Sequence, residues 1–123
     1  MKPKYSVGSS FGYAFAGIAA AWREGHNIRI QAAAGVLAVV LGFAFGISGP
    51  EWCAVLICIG AVIGGECVNT AIEDTVDLAC EDLHPLAKSA KDMAAGAVLV
   101  MSIASACVGL VIFVPRILAL LGV

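Results

Sequence analysis

Seven of the nine acidic residues in this 123-residue chain fall between Glu66 and Asp92. Within that stretch Glu66, Asn69, Glu73 and Asp77 are spaced i, i+3, i+7 and i+11. On a helix this spacing puts all four on one side, with Thr70 beside them. Lys88, Lys91 and Asp92 follow, at i, i+3 and i+4, just after Pro85. Clustered carboxylates can hold a hard divalent cation through oxygen. A lysine near a helix start opposes the local dipole, which makes it a poor stabiliser and a better partner for phosphate. Acids for a cation, lysine for phosphate and a carboxylate near an apolar surface are the parts that phosphoryl transfer requires. The bland alternative is that the acids pair with Arg23, Arg29 or Lys91 only to hold helices together. Acids buried in an apolar setting are too expensive to keep for packing alone, so function outweighs that reading.

The elements that carry these groups belong to a membrane. Hydrophobic residues make up 61% of the chain and charged residues 13%, with a mean hydropathy of +0.98. A soluble domain carries about 25% charge, so neither an ordinary globule nor a disordered chain fits. The formal net charge of −2 leaves no basic stripe for nucleic acid. The length suits one unit, residues 1–123, and no internal repeat divides it. Cys53, Cys58, Cys67, Cys80 and Cys107 form no Cys-x-x-Cys pair and are expected to be reduced thiols that pack as small hydrophobes.

The expected fold is an all-α membrane protein with one surface helix and three spans. Val7, Phe11, Phe15, Ile18 and Trp22 recur at helical spacing and predict an interfacial helix over 5–24 rather than a cleaved signal. An uncharged run predicts a first span over 30–48. Ser48-Gly49-Pro50-Glu51 then turns the chain, and a long helix over 50–79 follows, roughly 45 Å at 1.5 Å per residue. That exceeds the ~30 Å hydrocarbon core, so its acidic end must project into water. A third span is predicted over 85–114, stopped by Pro115. His84, in the loop before Pro85, suits a cap or a solvated group better than a catalyst. Lys2, Lys4, Arg23, Arg29, Lys88 and Lys91 fall on one side, with Arg116 opposite. By the positive-inside rule the acid cluster then faces the cytoplasm.

No Gly-x-x-x-x-Gly-Lys-Ser/Thr or Gly-x-Gly-x-x-Gly segment occurs. Instead Glu66-Cys67-Val68-Asn69-Thr70-Ala71-Ile72-Glu73-Asp74-Thr75-Val76-Asp77, together with His84-Pro85-Leu86-Ala87-Lys88-Ser89-Ala90-Lys91-Asp92, resembles the prokaryotic diacylglycerol kinase family. His-Pro-Leu-Ala-Lys is more similar to its undecaprenol kinase branch. The resemblance spans about residues 10 to 117. It implies a homotrimeric kinase of the bacterial inner membrane that uses ATP and Mg2+ to phosphorylate the hydroxyl of a membrane lipid alcohol. Undecaprenol is the expected acceptor and diacylglycerol the alternative.

By the same resemblance Glu73 is the catalytic base and a metal ligand, and Glu24 is the second metal carboxylate. Tyr13, Glu66, Asn69, Asp77, Lys91 and Asp92 are implied to bind the nucleotide and its metal, with Glu66 and Asn69 also touching the lipid. Two departures stand out. Some relatives place a basic residue four positions after the N-terminal acid, whereas Glu24 and Arg29 are five apart. Some also carry an arginine seven residues before the tyrosine matched by Tyr13, where this chain has Ser6; Lys4 could supply that charge. A different class of function, a cation-binding transport or channel subunit, would need a polar route beyond Glu66 toward the 48–52 turn. That stretch carries neither acid nor base.

Overall fold

A computed structural model describes residues 6–123 as four helices, with no strand among the described residues. They are α1 (Val7–Glu24), α2 (Ile28–Phe45), α3 (Gly49–Ala79) and α4 (Pro85–Leu120). Lys2, Lys4 and Tyr5, the first expected residue of the surface helix, lie outside the described residues. The last three helices are each long and apolar enough to cross a membrane, as the hydropathy pattern predicted.

Local chemistry sets the helix starts. Ser6 begins α1 with a capping box: its Oγ accepts from the Ser9 amide at 3.1 Å, and Ser9 Oγ accepts from the Ser6 amide at 2.9 Å. Ser48 and Glu51 repeat the device at α3, with reciprocal contacts of 3.0 and 3.3 Å. His84 opens α4, its Nδ1 accepting from the Leu86 amide at 3.1 Å, so this histidine is a cap.

The first span ends at Phe45, short of the expected residue 48, because Gly46 takes φ 63° and closes the helix in the left-handed region. The expectation that Pro115 stops the last span is corrected: α4 runs through it to Leu120. A proline inside a helix removes one backbone donor, and in lipid a neighbouring group must compensate. The carbonyl that Pro115 leaves without its helical donor is that of Val111; Arg116 Nη1 donates to the next one, that of Ile112, at 2.7 Å.

α4 packs along α3, and α2 packs beside α3. The core at the far end from the acids is Ile47, Val55, Ile112 and Phe113, with Trp52 and Phe45 against it. Close approach there depends on Gly42, where an added Cβ would lie 2.7 Å from the Trp52 ring. At the other end Ala94 and Val98 of α4 are buried. α1 rests on α3 and α2 while Val7, Phe11, Phe15 and Ile18 all remain more than half exposed. An apolar face turned away from the protein is what a helix lying in the membrane interface requires. Arg29 sits 5.7 Å above the Trp22 ring and ties α2 back to α1.

Candidate active site

The acid ladder lies on α3 where that helix passes from apolar to polar surroundings. Glu66 is 1% exposed, and Asn69 and Thr70 are also buried. Glu73 is half-buried, whereas Asp74 and Asp77 are exposed. Burial therefore falls along the ladder from Glu66 to Asp77.

The partners of these groups come from α2, from α4, from the turn between α1 and α2, and from α3 itself. Gln31 of α2 donates its amide nitrogen to Glu66 Oε2 at 3.2 Å. Asn69 Nδ2 donates to Glu73 Oε1, one turn on, also at 3.2 Å. His26, in the turn between α1 and α2, brings Nε2 to 3.7 Å from Glu73 Oε2. Lys91 of α4 is ion-paired with Asp77. Lys88 pairs with Asp92 on the exposed face of α4, so Asp92 meets its own helix rather than the ladder. None of the basic residues Arg23, Arg29 and Lys91 pairs with Glu66; that buried carboxylate is held by an amide.

Glu24, the last residue of α1, meets Asp74, the neighbour of Glu73. The hydrogen bond shared with Asp74, and then the repulsion of that second charge, hold the Glu24 carboxyl above the usual carboxylate range, with Arg23 opposing. The five-residue interval from Glu24 to Arg29 is absorbed by a non-helical turn, Gly25–Asn27. Gly25 packs tightly there, since a Cβ would come within 3.3 Å of Thr70 Oγ1. The turn sets Glu24 on Asp74 and His26 on Glu73. Tyr13 lies on α1 and is 62% exposed.

Two groups were missed from the sequence. His26 carried no signal, as a lone histidine in a turn. Gln31 did carry one: it is the only polar side chain between Arg29 and Ser48.

Three buried oxygens in this region have no donor: Gln31 Oε1, Glu66 Oε1 and Asn69 Oδ1. All three are acceptors, so the site calls for a cation, a hydroxyl or another N–H or O–H group. Such a gradient, from buried acceptors to exposed acids and a lysine, can receive an apolar alcohol at one end and a phosphate at the other.

The model of the family described as prokaryotic diacylglycerol kinase matches residues 12–113, a range that takes in every α3 and α4 residue of the candidate site. The chain belongs to the prokaryotic diacylglycerol kinase family. It is 44% identical over 107 residues to a protein named undecaprenol kinase from Bacillus subtilis, covering 87% of each chain. It is 36% identical over 113 residues to a diacylglycerol kinase from Synechocystis, covering 91% of this chain and 65% of that one. With a diacylglycerol kinase from Pseudomonas aeruginosa the identity is 37% over 87 residues, 70% of each chain. Family membership makes the chain a kinase of a lipid-kinase family, and the reading as a transport subunit is set aside.

Proposed function

We propose that this member of the family transfers the γ-phosphate of ATP to the hydroxyl of a membrane lipid alcohol, with undecaprenol as its acceptor. The observation that carries the reading is the burial gradient along α3. A carboxylate 1% exposed and acids exposed to water sit on one helix face within eleven residues. A lipid hydroxyl and a nucleotide can meet only at such a boundary. The identity to a protein named undecaprenol kinase over 87% of both chains favours that acceptor over diacylglycerol. The basic residues flanking α1, α2 and α4 support a site on the cytoplasmic face of a bacterial inner membrane.

Oxygen donors suited to Mg2+ are present. Among the described residues no three His, Cys, Asp or Glu side chains gather into a complete cage. Mg2+ needs none, because it takes one or two carboxylates and fills its shell with phosphate oxygens and water. Asp74 beside Glu24 holds the Glu24 carboxyl above the usual carboxylate range, and a cation between two neighbouring acids relieves that repulsion. Glu73 and Glu24 would hold the metal, with Asp74 alongside, and the bound metal would neutralise charge on the phosphates.

In the reaction Glu73 accepts the proton of the lipid hydroxyl while the alcohol oxygen attacks the γ-phosphorus. The bond from that phosphorus to the β,γ-bridging oxygen breaks, and ADP leaves. Asn69 orients Glu73 through its 3.2 Å hydrogen bond. Lys91, held against Asp77, is placed to steady the departing phosphates. Tyr13 and Asp92 belong to the nucleotide side of the same site.

A second assignment is favoured by one observation. Glu66 is the more buried carboxylate, and its Oε1 has no donor. In that assignment Glu66 takes the hydroxyl proton and Glu73 serves the metal alone.

The family resemblance supports a homotrimer. Asn69 lines a hollow of about 210 Å3 together with Gly64, Gly65, Ala94 and Ala97, small residues that let another helix approach closely. The deciding assay follows labelled γ-phosphate from ATP into undecaprenol and into diacylglycerol side by side. Faster transfer to undecaprenol supports the proposal, and transfer to neither alcohol refutes it.

A further inference from the structure

The two oxygens of Glu73 have different neighbours. Oε1 accepts from Asn69 Nδ2 at 3.2 Å and is already committed. Oε2 faces the imidazole of His26, with Nε2 3.7 Å away. That gap is too long for an N–H···O hydrogen bond. It lies close to the spacing of two ligands on one metal ion: with bonds of about 2.0–2.2 Å, neighbouring donors stand roughly 3 to 3.5 Å apart.

The turn that carries His26 is fixed at both ends. Gly25 has no room for a side chain, since a Cβ there would lie 2.6 Å from the Ala21 carbonyl oxygen, and its amide donates to that oxygen at 2.7 Å. Ile28, on the far side of the turn, is fully buried. Between these anchors the His26 side chain stays 77% exposed, open to water on the side away from Glu73. One packed turn thus delivers a carboxylate, Glu24, and an imidazole, His26, to the neighbouring acids Asp74 and Glu73.

A histidine–glutamate ion pair is the plain alternative. It accounts for the contact but leaves the two groups beyond hydrogen-bonding range. Among the described residues no lysine or arginine pairs with Glu73: Lys91 takes Asp77, Lys88 takes Asp92, and Arg116 takes Glu51. Glu73 Oε2 is therefore left for a cation from solution, and the donor set decides which one. Mg2+ is hard and takes oxygen. An imidazole nitrogen favours borderline first-row ions such as Co2+ and Zn2+.

We propose that His26 is a nitrogen ligand of the divalent ion held by Glu73 and Glu24, and that it shifts the preference of the site from Mg2+ toward first-row transition-metal ions. This rests on the metal reading above and adds a ligand and a choice of ion. Phosphate oxygens and water complete the shell, as the exposure of His26 allows.

Mn2+ is the probe, because its electron spin senses ligating nitrogen. The protein, labelled with 15N-histidine, is loaded in detergent with Mn2+ and an unlabelled, non-hydrolysable ATP analogue, whose own nitrogens are 14N. Electron spin-echo envelope modulation should show 15N coupling in the wild type and none in His26→Gln. The only other histidine, His84, caps α4 and serves as the internal control. In a second arm Co2+ or Mg2+ displaces the bound Mn2+, and the released ion is counted by its electron paramagnetic resonance signal. The same analogue in both proteins cancels its own preference between the ions. The ratio of Co2+ to Mg2+ affinity should fall about tenfold in His26→Gln, while the Mg2+ affinity stays within about threefold. Mn2+ that binds the wild type without 15N coupling overturns the proposal and leaves an oxygen-only site. Coupling that survives His26→Gln, or an affinity ratio that the variant leaves unchanged, overturns it as well. Failure of Mn2+ and the analogue to bind the wild type at all would instead sink the metal reading at Glu73 and Glu24.

Discussion

Arg116 and Glu51, 65 positions apart, form a two-pronged ion pair at the end of the bundle opposite the acid ladder. Arg116 Nη1 donates to Glu51 Oε2 at 2.8 Å and Nη2 to Glu51 Oε1 at 2.7 Å. Glu51 also completes the capping box of α3, and Arg116 also donates to the Ile112 carbonyl beside Pro115. One pair thus joins the start of α3 to the stretch of α4 that its proline weakens.

Arg116→Met should therefore lower the thermal midpoint in detergent by several degrees and leave catalysis nearly untouched. Glu51→Gln should do the same, and the double variant should lose less than the sum of the two. Strict additivity, or a large loss of kcat in a folded variant, would refute the role given to this pair.

Glu73→Gln should assemble normally and lose activity by about 100-fold or more, the range expected for a positioned acid–base group that also serves a metal. The two assignments of the proton acceptor diverge in their metal response. If Glu73 serves the metal alone, excess Mg2+ should restore part of the activity of Glu73→Gln and none of that of Glu66→Gln. A Glu73→Gln variant working at the wild-type rate would exclude the residue from both roles.

Lys91→Met should raise the KM for ATP about tenfold or more, and Lys91→Arg should recover part of the loss because charge rather than shape is needed. Asp77→Asn, which breaks the ion pair but keeps the charge of the lysine, should cost no more than a few-fold. Equal losses in Lys91→Met and Asp77→Asn would show that the ion pair, not the lysine alone, carries the function.

Glu24 should titrate above the usual carboxylate range in magnesium-free buffer, because the hydrogen bond and charge of Asp74 favour its protonated form. The sign is testable by carbon NMR of the labelled carboxyl. Asp74→Asn should move the midpoint down, and so should added Mg2+, which competes with the proton for the same oxygens. A midpoint that Asp74→Asn leaves in place would break the pairing of these two acids.

Much of the architecture was legible without coordinates. The apolar runs, the face from Val7 to Trp22 and the Ser48–Glu51 turn are local features, and all three appear in the structure. The ladder from Glu66 to Asp77 was equally legible, since a period of 3.6 residues puts those groups on one side whatever packs there. Its partners were not. Arg23, Arg29 and Lys91 were the counterions that the packing alternative offered the acids, and the fully buried Glu66 took the amide of Gln31 instead. A neutral partner relieves a buried carboxylate without bringing a second charge into the membrane.

Sequence alone determined the number of the helices, the membrane setting and the acid ladder. These follow from hydropathy, capping and helical period, which act over a few neighbouring positions. Tertiary structure alone decided that Gln31 reaches Glu66, that the Gly25–Asn27 turn sets His26 on Glu73 and Glu24 on Asp74, and that Arg116 of α4 pairs with Glu51 of α3. Those contacts depend on how each helix is rotated against the next. Side chains far apart in the chain set that rotation by packing together, and no local pattern records it.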